Sequence, residues 1–484
     1  MPPTSTHATT PDHQLGDAGD AGEARRLLDR RITLVVANAA SLMLVMATSS
    51  ANVALPDIQR RFDVSAAGLS WVITGYAVAF AGLILLSGKL GAIFGGRRVL
   101  LAGTGIFLAA SLAAGFAPSA EVLVVARIVQ GLGAAVAAPS TLALVIANTE
   151  AGHGRNVAIS VFVLARNAGV GVGVLAGGLL TSAIGWRWVM LVNVPLAVAI
   201  LLGAVVYVRE TERKRVSLDY AGGVITTLVM ASLVLGFTDA AQYGWGTWQA
   251  IVPILLAVGG TGVLVAVERR HADAVVPVDL FARMHQVAPY AALLLVSSGS
   301  YAFFYFGSLF MQNVMGYDAT RTGLAILPFV LAMVVVSQIT PRVLQLIGER
   351  VATVAGAAIM TVGLLWLAAL DEGATYVGSL LGPELVIGAG IGLSTGPITS
   401  LVMHHAPATH VSEASAMLQA MLQLGGAVGV ASLTSVYVRG EQDGGLAGGV
   451  SAAVCGGAVF AAVALVLVAA WGTRVTPRRA RPAS

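Results

Sequence analysis

Fourteen stretches of roughly twenty apolar residues, parted by short polar loops, fill almost the whole of this 484-residue chain. About 20 apolar residues in a helix, at 1.5 Å each, cover the roughly 30 Å hydrocarbon core of a bilayer. Charged residues make up 11% of the chain and hydrophobic ones 57%, where a soluble protein carries roughly 25% charged residues. No water reaches the bilayer core to satisfy exposed peptide groups, so each stretch must close its own hydrogen bonds as a helix. The expected fold class is an all-α integral membrane bundle. Its spans begin near Ile32, Leu69, Val99, Glu121, Asn156, Trp188, Tyr220, Thr247, Val287, Thr322, Val351, Tyr376, Val411 and Val450. Residues 1–31 are rich in Ala, Asp and Thr, lack an apolar core, and read as a disordered cytoplasmic tail rather than a signal peptide. The single cysteine, Cys455, excludes an internal disulfide and a Cys-based metal site and is expected to pack in the last span.

The basic residues set the orientation. With the N-terminus in the cytoplasm, 21 of the 28 Lys and Arg residues fall inside, 5 fall outside, and Arg127 and Arg166 lie within spans. That is a strong positive-inside bias, and an even number of spans returns the C-terminus to the cytoplasm. The basic side chains sit at helix ends facing anionic lipid and form no compact patch, which argues against nucleic acid as a partner. The scarcity of lysine, only Lys89 and Lys214 beside abundant Ala, Gly, Val and Arg, fits a GC-rich bacterium. The expected location is the bacterial inner (plasma) membrane.

The chain divides into six spans, then two, then six. The expected organisation is a tail at 1–31, a six-helix bundle at 32–208, a charged loop with two inserted helices at 209–268, a second six-helix bundle at 269–472, and a basic tail at 473–484. A weak repeat supports it: the turn Gly88-Lys-Leu-Gly-Ala-Ile-Phe-Gly-Gly-Arg-Arg98 and the turn Pro341-Arg-Val-Leu-Gln-Leu-Ile-Gly-Glu-Arg350 each follow the second span of a bundle, with Gly95 and Gly348 in matching places. Repeated halves that meet at a midplane site are how many secondary transporters are built. Gly169, Gly173 and Gly177 recur every fourth residue in the fifth span. This strips one face of side chains, either for close helix packing or for a surface that slides between the two halves.

These residues resemble the fourteen-span drug:proton antiporter family of the major facilitator superfamily over about Ile32–Trp471. Asn52-Val-Ala-Leu-Pro56 resembles the end of the family's first-span motif, and Trp71 and Tyr76 its second-span aromatic pair. Gly88, Leu90, Gly95, Arg97 and Arg98 match the loop motif, Arg127-Ile-Val-Gln-Gly131 the fourth-span motif, and Gly169, Gly173, Gly177 and Gly178 the antiporter motif. Trp186-Arg-Trp188, Asn193-Val-Pro195, Asp219, Gln312, Gly316, Gly323, Pro328 and Gly425-Gly426 follow in the family's order. The resemblance implies the major facilitator fold, two six-helix bundles with two inserted helices. It also implies proton-driven export of a small, largely apolar compound. Three positions depart from the pattern: the first-span acid falls at Ala47, the loop acid at Ala92 with its neighbouring Arg at Ile93, and the antiporter proline at Val174. Without Val174 as proline the fifth helix should run straighter.

An ionised side chain at mid-bilayer costs roughly 2.5–3.5 kcal/mol on insertion scales, and arginine cannot shed its proton to escape that cost. Arg127 and Arg166 must therefore face a cavity or find partners. Glu384 is the deepest acid, followed by Gly388, Gly390 and Gly392. Removing a carboxyl from water favours its neutral form, which suits a proton carrier, so Glu384 and Arg127 are the proton-coupling candidates. Asn52, Ser49, Trp71, Tyr76, Arg127, Gln130, Arg166 and Gln312 are the substrate-cavity candidates. Gly88, Gly95, Arg97, Arg98, Gly131, Gly169, Gly173, Gly177 and Gly178 form the packing and conformational set. Trp186, Trp188, Tyr243, Trp245 and Trp248 read as interface anchors, and the loop histidines His404, His405 and His410 as a solvated cluster.

No Walker loop, catalytic triad or metal constellation is visible, so the chain is expected to be neither an ATPase nor another enzyme. No cofactor is expected beyond a proton gradient. The expected function is a monomeric secondary active exporter working by alternating access, with a neutral or anionic small molecule favoured over a lipophilic cation. The alternatives are a degenerate, non-transporting membrane protein on the same fold and an uncoupled uniporter.

Overall fold

The structure, a computed structural model, describes residues 13–63, 66–150, 152–211, 213, 220–268, 284–406 and 410–471. Among these residues there are helices and turns and no strand. The first half contains α1 (His13–Phe62), α2 (Ala66–Phe94), α3 (Gly96–Gly115), α4 (Ala120–Ala147), α5 (His153–Ile184), α6 (Trp186–Leu191) and α7 (Asn193–Tyr207). An inserted pair follows, α8 (Tyr220–Tyr243) and α9 (Trp248–Glu268). The second half contains α10 (Met284–Ala302), a π turn at Phe303–Gly307, α11 (Ser308–Asn313), α12 (Ala319–Ala325), α13 (Leu327–Leu367), a second π turn at Tyr376–Leu380, α14 (Leu381–His405) and α15 (Val411–Trp471).

Twelve described helices are long and apolar enough to cross a membrane, so this count does not reach the fourteen spans expected from the sequence. The two longest candidates, at 48 and 58 residues, would far exceed a roughly 30 Å core if straight. Both are broken by glycine. α13 is non-helical at Gly348 (φ 76°), and α15 at Gly444 and at Gly445 (φ 66°). At the second break the chain folds back on itself: Gly440 lies against Gly448 and Ala452, Tyr437 against Gly449, and Leu433 against Gly456. α1 begins at His13, so the expected disordered tail is helical from there. Ala24–Arg31 is rich in good helix formers and continues directly into the first span, and Asp29 pairs with Arg209 at 2.9 Å. The C-terminal tail, 473–484, and residues 1–12 lie outside the described residues, as do Lys214 and Asp219.

The internal repeat is visible in how glycines admit neighbouring helices. In the first half, the third and fourth helices cross where Gly103 meets Gly133; in the second half, the corresponding crossing is Gly356 against Gly390. The second and fourth helices meet where Gly131 lies on the Tyr76 carbonyl, and in the second half where Gly388 and Gly392 lie on the carbonyls of Phe329 and Met333. The first and fifth helices meet where Gly169, Gly173 and Gly177 lie on the carbonyls of Leu42, Met46 and Ser50. The counterpart contacts are Gly425 on Leu294 and Gly429 on Ser298. Small residues let backbones approach where lipid supplies no hydrophobic drive to associate. The glycine stripe of α5 therefore clamps α1 within one half, and is not the sliding surface between halves. α5 runs through Val174 with no non-helical residue inside it.

The matched turns also share a device. Gly95 (φ 93°) and Gly348 (φ 76°) both adopt a backbone that L side chains avoid. Two residues after Gly95, Arg97 donates to the Ala204 and Val205 carbonyls at the end of α7, at 3.1 and 2.5 Å. Two residues after Gly348, Arg350 donates to the Val468 carbonyl at 3.2 Å and to Ala469 at the end of α15. In each half an arginine thus caps the last helix, where unpaired carbonyls and the helix dipole favour a cation.

Candidate functional site

The two mid-span arginines receive different surroundings. Arg127 is fully buried inside the first half. Its Nε donates to the Val72 carbonyl at 2.9 Å, its Nη1 to Gln130, and its guanidinium sits 4.5 Å over the Tyr76 ring. Gln130 in turn donates to Ser111 at 2.8 Å. These contacts join α2, α3 and α4, and one guanidinium nitrogen, Nη2, has no partner. Arg127, Gln130 and Tyr76, all expected at a cavity wall, are walled inside the bundle here. Tyr76 stacks on Phe80 at 6.0 Å.

Arg166 lies near the middle of α5 and reaches into the second half. Its Nη1 stands 3.5 Å from Gln419 Oε1 on α15, and its charge interacts with the Tyr301 phenol of α10. No acid forms an ion pair with it among the described residues. Tyr301 is 44% exposed although it sits mid-span, and it lies two residues before the π turn at Phe303–Gly307. Asn167, next to Arg166, and Asn38 on α1 carry buried amide atoms with no partner. A cation and a phenol at the junction of the halves can take a ligand that accepts hydrogen bonds. Gln419 and Tyr301 were absent from the sequence reading, because neither side chain is unusual in a span until the fold brings it to Arg166.

Glu384 is fully buried near the start of α14, and its Oε1 has no partner. The Tyr376 hydroxyl lies 3.2 Å from Glu384 Oε2 and 2.6 Å from the Ala325 carbonyl. One hydroxyl proton serves one acceptor at a time. With Glu384 ionised the phenol donates to it; with Glu384 protonated the phenol is free to donate to Ala325. Tyr376 opens the second π turn, and such turns recur at functional sites. Ala325 ends α12, whose Gly323 lies against Val174 of α5.

The remaining candidates are scattered. Ser49 is buried between α1 and α5 and donates to backbone carbonyls, Gly169 among them at 3.3 Å. Asn52, Trp71 and Gln312 are exposed. Trp186, expected as an interface anchor, is buried against Phe62 with rings 5.6 Å apart, because the turn at Gly185 directs it into the bundle. Trp188, Tyr243, Trp245 and Trp248 are exposed. Cys455 is in the last leg of α15 but exposed rather than packed. His404 faces Glu349 at 3.0 Å and His410 lies 3.7 Å from Glu413. His405 lies among side chains that are not described. The loop acid missing at Ala92 has a counterpart beyond α7. Glu210 accepts from the Arg97 backbone N–H at 3.0 Å and stands 3.6 Å from Arg98, while Thr211 accepts from the Gly96 N–H at 2.7 Å.

Two repeated six-helix halves with polar groups at their midplane junction define a secondary transporter architecture. The family model of the Major Facilitator Superfamily matches residues 38–430, and the chain belongs to that superfamily. It is a multi-pass membrane transporter of small molecules, not an enzyme. Its relatives include the cephamycin export protein CmcT of Amycolatopsis lactamdurans, 34% identical over 88% of this chain and 88% of that one. The puromycin resistance protein pur8 of Streptomyces alboniger is 34% identical over 83% and 81%. The uncharacterized MFS-type transporter EfpA of Mycobacterium tuberculosis is 33% identical over 82% and 74%. The human organic anion transporter MFSD10 (TETRAN) shares the fold, with a TM-score of 0.66 at 14% identity, over 91% of this chain and 99% of that one.

Proposed function

We propose that this protein exports a drug-sized, largely apolar compound, neutral or anionic, by alternating access driven by the proton gradient. The observation that carries this reading is Arg166: a mid-span cation between the halves, 3.5 Å from Gln419, beside the Tyr301 phenol, and unmatched by an acid among the described residues. Relatives described as export and antibiotic-resistance proteins support outward transport. The end of the molecule bearing Arg97 and Arg350 faces the cytoplasm under the positive-inside rule, in a bacterial plasma membrane with both termini inside. Each leg of broken α13 and α15 crosses once, giving fourteen crossings.

Glu384 carries the proton. Its two hydrogen-bonding states with Tyr376 link its charge to the carbonyl that ends α12, and α12 touches α5 across the interface between halves. Substrate and proton then compete through the relative positions of the halves. The experiment is transport of an anionic and a cationic dye by reconstituted vesicles with an imposed pH gradient. Glu384→Gln should abolish acceleration by the gradient, and Arg166→Gln should weaken handling of the anionic dye alone. Unaltered gradient dependence in Glu384→Gln would discard the proton role, and preferred handling of the cation by the unmodified protein would discard the charge preference. Ala47, where the family's first-span acid is missing, favours one rival, an uncoupled uniporter. Counting protons moved per dye molecule separates the two.

A further inference from the structure

Tyr301 keeps one face free in the middle of the protein. Every other described side chain of α10 is buried or half-buried, so protein rather than lipid surrounds this helix. Tyr301 nevertheless has 44% of its surface open, while lying deep enough for the Arg166 charge to act on it. A side chain that is both deep and open borders internal space.

The opposite face of the ring rests on a bare stretch of α15. A methyl at Gly426 would stand 2.9, 3.0 and 3.2 Å from three adjacent ring carbons of Tyr301. Such near-equal distances put that methyl over the face of the ring, because an approach at the edge brings one carbon well ahead of its neighbours. Glycine at 426 is therefore what lets the phenol lie flat on α15. The seat is held firmly. Gly425 lies on the Leu294 carbonyl and Gly429 on Ser298. Ser297 donates to the Leu422 carbonyl at 2.9 Å and Ser298 to the Gly425 carbonyl at 2.8 Å. Seven residues before Gly426, and so on the same face of the helix, Gln419 meets Arg166 at 3.5 Å. A flat aromatic surface and a guanidinium with no ion pair among the described residues thus border one space.

Aromatic rings stack on one another with an offset, and a guanidinium donates to both oxygens of a carboxylate. An aliphatic acid can use only the second contact. We propose that Tyr301 is a stacking platform that makes this site selective for planar aromatic anions. The substrate's ring lies on the open face of the phenol, and its acid group accepts hydrogen bonds from Arg166. Gly426 is a positioning residue that acts through the phenol. The proposal rests on the export reading and names the substrate class of that same site.

The test compares two acids with one carbon skeleton, planar 2-naphthoate and its saturated counterpart decahydro-2-naphthoate. Their affinities for the full-length protein in lipid nanodiscs are read by titration calorimetry. Tyr301→Leu should weaken 2-naphthoate about two- to tenfold and leave the saturated acid within about twofold. Tyr301→Phe keeps the ring and should preserve the ratio of the two affinities, whereas Arg166→Gln should weaken both acids by the same factor. Equal weakening of both acids in Tyr301→Leu, or an unchanged ratio, overturns the platform; so does Tyr301→Phe behaving like Tyr301→Leu, which would assign the effect to the hydroxyl. Should Tyr301→Leu fail to fold, Gly426→Ala decides, since it leaves the phenol in place and blocks only its seat: a reduced ratio supports the platform and an unchanged ratio overturns it. Transport in vesicles with an imposed proton gradient separates the two readings. If the ratio depends on Tyr301 but neither acid is moved, the export reading falls and the platform stands. If 2-naphthoate is moved and the ratio ignores Tyr301, the platform falls and the export reading stands.

Discussion

Arg127 and Arg166 both interrupt apolar helices, yet one ties a half together and the other looks across to its partner. Truncation at Arg127 strips Gln130 and the Val72 carbonyl of their partner inside a closed bundle. Arg127→Met should lower stability by about 1–3 kcal/mol, read as a reduced thermal midpoint in detergent. Arg166 touches Gln419 at 3.5 Å and interacts with Tyr301, so Arg166→Gln should lower stability by less than Arg127→Met does while raising KM for an anionic dye. A large loss of stability in Arg166→Gln would reassign it as a brace. Tyr376→Phe should leave Glu384 without its hydrogen-bond donor and shift the pH at which transport is half-maximal; an unmoved pH profile would separate the phenol from proton coupling. Rarity made Arg127, Arg166 and Glu384 legible in the sequence, since a charge in hydrocarbon needs a reason. Their surroundings were not legible. Gln419 and Tyr301 are ordinary residues whose meaning comes from Arg166, more than a hundred positions away in the chain, and Tyr376 takes its meaning from Glu384 through a turn that the apolar pattern does not show.

At the scale of the element, glycine spacing determined which face of a helix is bare, and the bundle determined what met it. A methyl at Gly173 would stand 2.7 Å from the Met46 carbonyl, whereas at Gly178 its nearest neighbours are at 3.9 and 4.0 Å. Gly173→Ala should therefore destabilise by about 1–3 kcal/mol as α1 is pushed off α5, and Gly178→Ala should be near neutral. Equal effects in a thermal-shift measurement would refute the clamp. Glu210 offers a second element-level check. It accepts from the first turn of α3, and Glu210→Ala should cost about 0.5–2 kcal/mol. The sequence pointed to Gly95 and Gly348 as matched positions, but the shared arginine caps on α7 and α15 emerged only when distant helix ends came together.

Over the whole molecule, the breaks at Gly348 and Gly444–Gly445 divide two overlong helices, and the fourteen crossings proposed here place those turns on opposite sides of the membrane. Single cysteines at Gly348 and Gly444, in a Cys455→Ser chain, should react with an impermeant maleimide from opposite sides; labelling from one side alone would refute fourteen crossings. The halves also touch where Ser160 meets Gly396 and where Ser415 donates to the Pro139 carbonyl at 3.2 Å. A disulfide between Ser160→Cys and Gly396→Cys should arrest transport until it is reduced. The sequence by itself determined the solvent, the helical class and the family, because apolar length and composition are properties of local segments and the motif residues can be read in order. Tertiary structure alone decided which arginine is sealed and which faces the junction, and that Gly426 seats the Tyr301 ring beside the second of them. Those outcomes depend on contacts between helices far apart in the chain, which no periodicity along a single helix encodes.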